Sequence, residues 1–451
     1  MQTIGGARRL MVRLVLVSEF LRRSSAGDGE TLSEVARMVR LDDIHRAAAV
    51  IQGVALRTPI VTCSAVARRL PNFADLPYGD SARDPLRFKA ENLQRTGSFK
   101  IRGAYNRLSS LTADEKARGV AAVSAGNHAQ GVGLAANLLG IKATIFMPRS
   151  GSIAKIKATE AYGASVVLEG ESFDEAAGAC REFVESSGAV FISPFDDDGI
   201  IAGQGTLGLE LLSDVPDMKT LIVPVGGGGL FSGIAVAVKE SRPDVRLIGV
   251  QSELLDTAVR SFKAGRLVEP VHRGRTICDG IAIKSPSPRT FEYISRYADD
   301  MVTVSDADVA AALFVILERA KLVVEPSGAA GVAAILTGAA VPDGRTVTVL
   351  CGGNIDMLRL ADVSHREMLR AGHYLHLFTR CDDRPGGLAG LVKLVGEHRG
   401  NIVSVHHNRL SPEVPLGMTG VELLLEVRDG EHAQTVLDAL SANGYPWSRL
   451  D

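Results

Sequence analysis

The chain has 451 residues, 46% of them hydrophobic and 23% charged, with a formal net charge of −2. That supplies core material for two or three domains and gives no general attraction to nucleic acid or anionic membrane, so neither partner is expected. Five scattered cysteines, none in a C-x-x-C spacing, argue against a disulfide framework or a zinc site and for a reducing compartment, the cytosol.

Residues 1–40 read as an N-terminal extension without an assigned function. The apolar run 11–20 looks like a signal core, but Arg13 and Glu19 interrupt it and it is too short to span a bilayer. A first domain is expected over 41–370, with a longer surface stretch at 71–85. Within it, Glu91-Asn92-Leu93-Gln94 forms a polar, turn-like segment ahead of Ser98-Phe99-Lys100-Ile101-Arg102-Gly103-Ala104, which opens a helical pattern. Lys100 stands between Phe99 and Ile101. Desolvation there disfavours the ammonium form, and a neutral amine is the nucleophile that Schiff-base chemistry needs.

Short β-rich runs at 120–124, 143–147, 165–168, 221–225, 245–250 and 346–350 alternate with helical segments such as 128–139 and 173–185. This is the pattern of an open α/β fold with a mostly parallel sheet, in which ligands bind at the carboxyl ends of strands. Ser124-Ala125-Gly126-Asn127-His128 follows the first of these strands and opens a helix. Such a turn either binds a carboxylate at the helix N-terminus or is an ordinary connection capped by Asn127. Gly226, Gly227, Gly228 and Gly229 precede Leu230 and a further helix. Four glycines cost backbone entropy, and close approach of amides to a phosphate is the commonest reason for them. Phe231 breaks the dinucleotide G-x-G-x-x-G pattern and no Lys-Ser or Lys-Thr follows, so a cofactor monophosphate is the expected anion. Glu325 begins a helix with Pro326 and Ser327 in its first turn; it is either structural or close to a cofactor ring. Cys351, with Gly352, Gly353 and Asn354, follows a strand; its thiol is either a neutral partner for a heterocyclic nitrogen or an inert buried group.

Beyond 370 the order becomes βαββα: strands at 373–379, 401–407 and 421–427, helices at 388–399 and 431–443, and a turn at Arg384-Pro385-Gly386-Gly387. This is a small α+β domain over 371–451.

Together these motifs, with Ala202-Gly203-Gln204-Gly205-Thr206, resemble the threonine and serine dehydratases of the tryptophan-synthase-β-like group, fold type II of the pyridoxal-phosphate enzymes. The resemblance implies open, mostly parallel sheets in two subdomains, and pyridoxal 5′-phosphate as cofactor. It implies that Lys100 bonds the cofactor and then serves as base at Cα, with Phe99 beside the ring and Asn127 at the ring hydroxyl. Gly226 to Gly229 and Leu230 would hold the phosphate, Cys351 would face the ring nitrogen, and Glu325 would stand near the ring. Ser124, Ala125, Gly126, Asn127 and His128 would form the loop for the substrate carboxylate. The implied reaction is β-elimination of L-threonine to 2-oxobutanoate and ammonia, with L-serine to pyruvate alongside, as a step towards isoleucine or in threonine catabolism. The alternatives are an amino-acid racemase and a non-catalytic amino-acid sensor. A racemase needs a second proton carrier where this chain has Ala125, and the relatives' divalent-metal site begins where it has Gln251, so no metal is expected. The C-terminal domain resembles a single ACT domain, which implies a small amino-acid effector, isoleucine or valine first, and a homo-oligomer, dimer or tetramer.

Overall fold

The computed structural model describes residues 38–67, 86–271, 273–409 and 414–450. The expected extension, apart from 38–40, and the stretch 71–85 lie outside the described residues. Two compact units form, Met1–Ile355 and Asp356–Asp451. The helix Met357–Arg370 therefore groups with the second unit, whereas the sequence places the boundary at 370.

In the first unit the strands are β1 (Ile60–Thr62), β2 (Leu86–Lys89), β3 (Val120–Val123), β4 (Ala143–Met147), β5 (Ser165–Leu168), β6 (Val190–Phe191), β7 (Thr220–Pro224), β8 (Arg246–Ser252), β9 (Asp300–Val304) and β10 (Thr346–Val349). They build two sheets. One has the order β5-β4-β3-β6 and is parallel throughout; the other has the order β1-β2-β10-β7-β8-β9, with only β1 antiparallel. Every residue of β3, β4, β7 and β10 is buried, as a parallel sheet covered by helices on both faces requires. That is why these strands read as unbroken apolar runs. β1, β2 and β9 escape a sequence reading because they are short or only partly buried.

The segment 91–94 is not the solvated turn its polarity suggests: Glu91, Asn92 and Gln94 are buried, Glu91 and Asn92 in the short 3₁₀ turn Glu91–Leu93. Glu91 is tied to Arg102 on the helix Lys100–Ser109, by Nε and Nη2 donating to its two carboxylate oxygens at 2.8 Å each. Arg102 Nη1 also donates to Glu210 at 2.7 Å on the helix Asp198–Asp214, and Lys89 Nζ lies 2.7 Å from Glu210. Arg102, Glu91 and Lys89 are fully buried. Gly203, from the Ala202–Thr206 motif, lets the two helices touch: a Cβ there would stand 2.6 Å from the Arg102 carbonyl. That motif seats the helix carrying Lys100.

The second unit holds β11 (Tyr374–Asp382), β12 (Asn401–Asn408), β13 (Met418–Glu426) and β14 (Trp447–Arg449) in an antiparallel sheet of order β12-β13-β11-β14. Burial alternates along β11, and Leu375 and Leu377 meet Leu391 and Val395 of the helix Gly387–Glu397 and Val436 and Leu437 of the helix Gly430–Ala442. The expected βαββα order holds, and β14 extends it. Among the described residues no helix is long and apolar enough to cross a membrane.

Candidate active site

The loops after β3, β7 and β10 meet the start of the helix Lys100–Ser109. The Phe99 N–H donates to the Cys351 carbonyl at 3.3 Å, Ser98 bridges Gly352, and the Gly353 N–H donates to the Gly97 carbonyl at 2.8 Å. The Lys100 loop is thereby stitched to the end of β10. Lys100 itself is half-buried, with Nζ donating to the Pro194 carbonyl at 2.8 Å and lying 5.2 Å from the centre of the Phe99 ring. Burial brings its pKa down to about 8, while Cys351 and Glu325 pull the other way. A backbone carbonyl accepts a hydrogen bond from the amine without supplying a counter-charge, so the neutral form stays within reach.

Four helices open at this place: Lys100–Ser109, Asn127–Leu138, Gly229–Ser241 and Pro326–Leu336. None has a side-chain cap and none has an acidic residue in its first turn. Their terminal N–H groups keep capacity for an anionic ligand. Gly228, at φ +92°, supplies the left-handed turn that starts the third of them. The other glycines of the run answer to packing as well: a Cβ on Gly227 would collide with the Phe195 ring, and one on Gly229 would stand 2.9 Å from Phe195 Cα. Leu230 is buried behind them.

On the β3 loop, Ser124 Oγ accepts from the Gly126 N–H at 3.2 Å, and a Cβ on Gly126 would meet nothing within 4 Å. The loop thus borders open space. The Ala125 methyl packs against the apolar cluster below. His128 is buried, its Nε2 donating to the Ile192 carbonyl at 3.0 Å and its Nδ1 left without a partner. Burial and the nearby Lys100 push its pKa down to about 3, so the ring is neutral at physiological pH.

Asn127 Nδ2 donates to both carboxylate oxygens of Glu325, at 2.8 and 3.0 Å, and its Oδ1 accepts from Asn354 Nδ2 at 2.8 Å. Glu325 is 3% exposed, and burial first, then Asp279, pushes its carboxyl up to about 7 against the Asn127 hydrogen bond. The Cys351 thiol is buried and lies well above its ordinary value for the same reason, so it is a neutral group here. Gln251 is buried, Oε1 accepting from the Val259 N–H at 3.1 Å. Among the described residues no group of three or more His, Cys, Asp or Glu is placed to hold a metal ion.

Comparison with known proteins decides the family. The pyridoxal-phosphate dependent enzymes match this chain over residues 52–352, and that span contains nearly all of the loops just described. The chain belongs to that family. A curated L-threonine ammonia-lyase of Thermotoga maritima is 44% identical over 408 residues, covering 90% of this chain and 98% of that protein. Among solved structures, a threonine deaminase from tomato, Solanum lycopersicum, superposes with a TM-score of 0.66 at 32% identity, covering 76% of this chain and 93% of its own. A maize serine racemase superposes at 0.66 with 32% identity, covering 74% and 99%.

The residues fit the family's cofactor. An amine with a depressed pKa, an uncapped glycine-rich helix start and a buried neutral thiol are, in turn, groups that could bond an aldehyde, hold a phosphate and meet a ring nitrogen without a charge. Of the site residues singled out in the sequence, the structure sets Asn127 against Glu325 and Phe99 against the Cys351 carbonyl, while Gly227 and Gly229 pack on Phe195, the neighbour of the Pro194 that Lys100 bonds. It adds Pro194 and Phe195, which follow β6, and Asn354. Asn354 already stands in the Cys351 motif, but its partners lie more than two hundred residues away. The Phe195 contact gives a test: Gly227→Ala is expected to lower thermal stability by ~1–3 kcal/mol and to release cofactor on gel filtration, because the ring has to move.

Proposed function

We propose that this chain is an L-threonine ammonia-lyase that converts L-threonine to 2-oxobutanoate and ammonia and accepts L-serine in the same site, giving pyruvate. What carries the reading is the Lys100 amine, with its pKa brought to about 8, together with Ala125, which has no proton to transfer, at the position where a racemase of this family would need its second proton carrier. Identity to the Thermotoga maritima enzyme along 98% of its length supports the same assignment.

The roles of the chain's residues follow. The N–H groups of the loop from Ser124 to His128 bind the substrate carboxylate at an uncapped helix start, His128 through its backbone because its Nε2 is committed to Ile192. The run Gly226 to Gly229, with Leu230, holds the phosphate at the start of the helix Gly229–Ser241. Phe99 would lie beside the cofactor ring, Asn127, which bonds Glu325, would donate to the ring hydroxyl oxygen, and the neutral Cys351 thiol would meet the ring nitrogen. When bound, pyridoxal phosphate supplies a sink for the electron pair left at Cα. Lys100 Nζ would take the Cα proton, and the Pro194 carbonyl keeps that amine oriented. The β-hydroxyl departs as water, and hydrolysis returns a water, so each amino acid yields one 2-oxo acid and one ammonia. A racemase would have to return a proton from the face opposite Lys100, and Ala125 has none to give.

The unit Asp356–Asp451 serves as an ACT-like regulatory domain. A cavity of about 460 Å³ at the end of β11, bordered by Asp382, Asp383, Arg384, His407 and Arg409, offers both charges that an α-amino acid needs. Five free, buried cysteines fit a cytosolic enzyme, and a homo-oligomer completes the reading.

The test is product formation from L-threonine, L-serine and their D-forms, with and without each amino acid. 2-Oxobutanoate and ammonia in equal amounts from L-threonine, without D-threonine or D-allo-threonine appearing, is the expected result. A leftward or rightward shift of the saturation curve with L-isoleucine or L-valine is expected too. Inversion at Cα without ammonia would replace the lyase by the racemase, and identical curves with all effectors would remove the regulatory role.

A further inference from the structure

The polar groups behind Asn127 form a chain with one direction. It starts at the Thr96 carbonyl, a backbone oxygen that can only accept. Asn354 Nδ2 donates to it at 2.7 Å, which fixes which end of the Asn354 amide faces Asn127. The same Nδ2 carries a second hydrogen, donated to Asn127 Oδ1 at 2.8 Å. That in turn fixes Asn127, whose Nδ2 must point at Glu325. The two Glu325 oxygens sit 2.8 and 3.0 Å from that nitrogen. They are the two ends of one carboxyl group and take one N–H between them, so the other N–H of the planar amide is left to point elsewhere.

The surrounding backbone makes room for this chain at both ends. A Cβ on Gly352 would collide with Glu325 Oε1 and stand 3.1 Å from Asn127 Nδ2. A Cβ on Gly97 would stand 2.5 Å from Asn354 Oδ1. Glu325 also holds the N-cap position of the helix Pro326–Leu336 without capping it: its carboxyl turns from its own helix to Asn127. Ionised, Glu325 favours the same direction, but a carboxyl that carries a proton can donate as well as accept and does not fix it. Asn354, tied to a backbone carbonyl, does.

We propose that Asn354 and Glu325 are positioning residues that lock the Asn127 amide in one orientation, so that it presents an N–H, and never its carbonyl, to the ring hydroxyl of the cofactor. The inference rests on the site reading above and deepens it. An N–H in that place holds the ring oxygen in its ionised form; a carbonyl would favour the protonated hydroxyl. Asn354 also ties the turn before Lys100 to the start of the Asn127 helix, so the two loops that grip the cofactor move together.

The test compares Asn354→Asp with Asn354→Ala in the full chain loaded with pyridoxal phosphate, read by absorbance rather than turnover. Asn354→Asp keeps the shape and reverses the hydrogen-bond polarity, leaving Asn127 between two acceptors. The expected result is a severalfold rise in the near-ultraviolet fraction of the bound cofactor at the expense of the visible one, while borohydride still traps cofactor on Lys100. Asn354→Ala opposes neither orientation, so at a pH above about 7 the ionised Glu325 still keeps the visible form dominant. Wild-type spectra in Asn354→Asp, or the same change in both variants, would overturn the lock. A wild-type chain that binds no cofactor would instead overturn the site reading, so the two failures are distinguishable.

Discussion

A Lys100→Ala chain is expected to release ammonia from L-threonine at least ~10³-fold more slowly than the wild type, since under the proposed function it loses both the covalent anchor and the base at Cα. The fold should survive, because Lys100 begins its helix and forms one side-chain hydrogen bond, to the Pro194 carbonyl. Unchanged circular dichroism beside lost turnover is therefore the expected pair of observations. A related outcome concerns the wild-type chain stripped of cofactor. Its amine titrates at about 8, so the rate of cofactor capture should rise as pH increases towards and through that value, as protons leave Lys100, and then level off. Capture that slows as pH rises would place the bond on a different group.

The second large effect concerns stability. Glu91→Ala removes the carboxylate paired with Arg102, which also feels the Lys89 charge, and leaves two cations buried with only the Glu210 and Asp214 side to answer them. Breaking a buried pair in this way costs about 3–5 kcal/mol, against ~0–1 kcal/mol for an exposed one. Replacing Arg102 by Leu should cost a similar amount, since Glu91 is then stranded. Either variant should show a lower denaturation midpoint and a displaced Lys100 helix. The pH dependence has a definite sign. Burial pushes the Glu91 carboxyl up, but Arg102, with Thr58 and Lys89, brings it below its ordinary value of 4.5 in the folded chain. The pair's contribution is therefore present above pH 4.5 and is lost as pH falls below that value through the folded pKa. Wild-type stability should fall in that window more steeply than that of Glu91→Gln, measured by urea denaturation.

The parts of the site legible in the sequence share one property: each is a run of neighbouring residues whose constraint is local. The buried strands β3, β4, β7 and β10 announce themselves as apolar runs because both faces of a parallel sheet are covered. The four glycines announce a backbone that must come close to something. What they approach is less legible. Phe195 packs onto Gly227 and Gly229 from a loop well upstream, and no periodicity marks it. The charge network is hidden for the same reason. Glu91 looks like part of a polar turn until Arg102 and Glu210 are brought to it, and nothing beside Arg102 in the sequence marks it as half of a buried pair. The motif places His128 in the carboxylate loop but does not set the direction of its ring, which is turned to the Ile192 carbonyl and depends on where β6 ends.

The central claim is that one lysine, Lys100, bonds pyridoxal phosphate in this chain. Borohydride reduction of the holoenzyme, followed by proteolysis and mass spectrometry, tests it most directly. One pyridoxyl group on the peptide containing Lys100, and on no other lysine, is the predicted result. A label on a different lysine, or none at all with cofactor present, would contradict it.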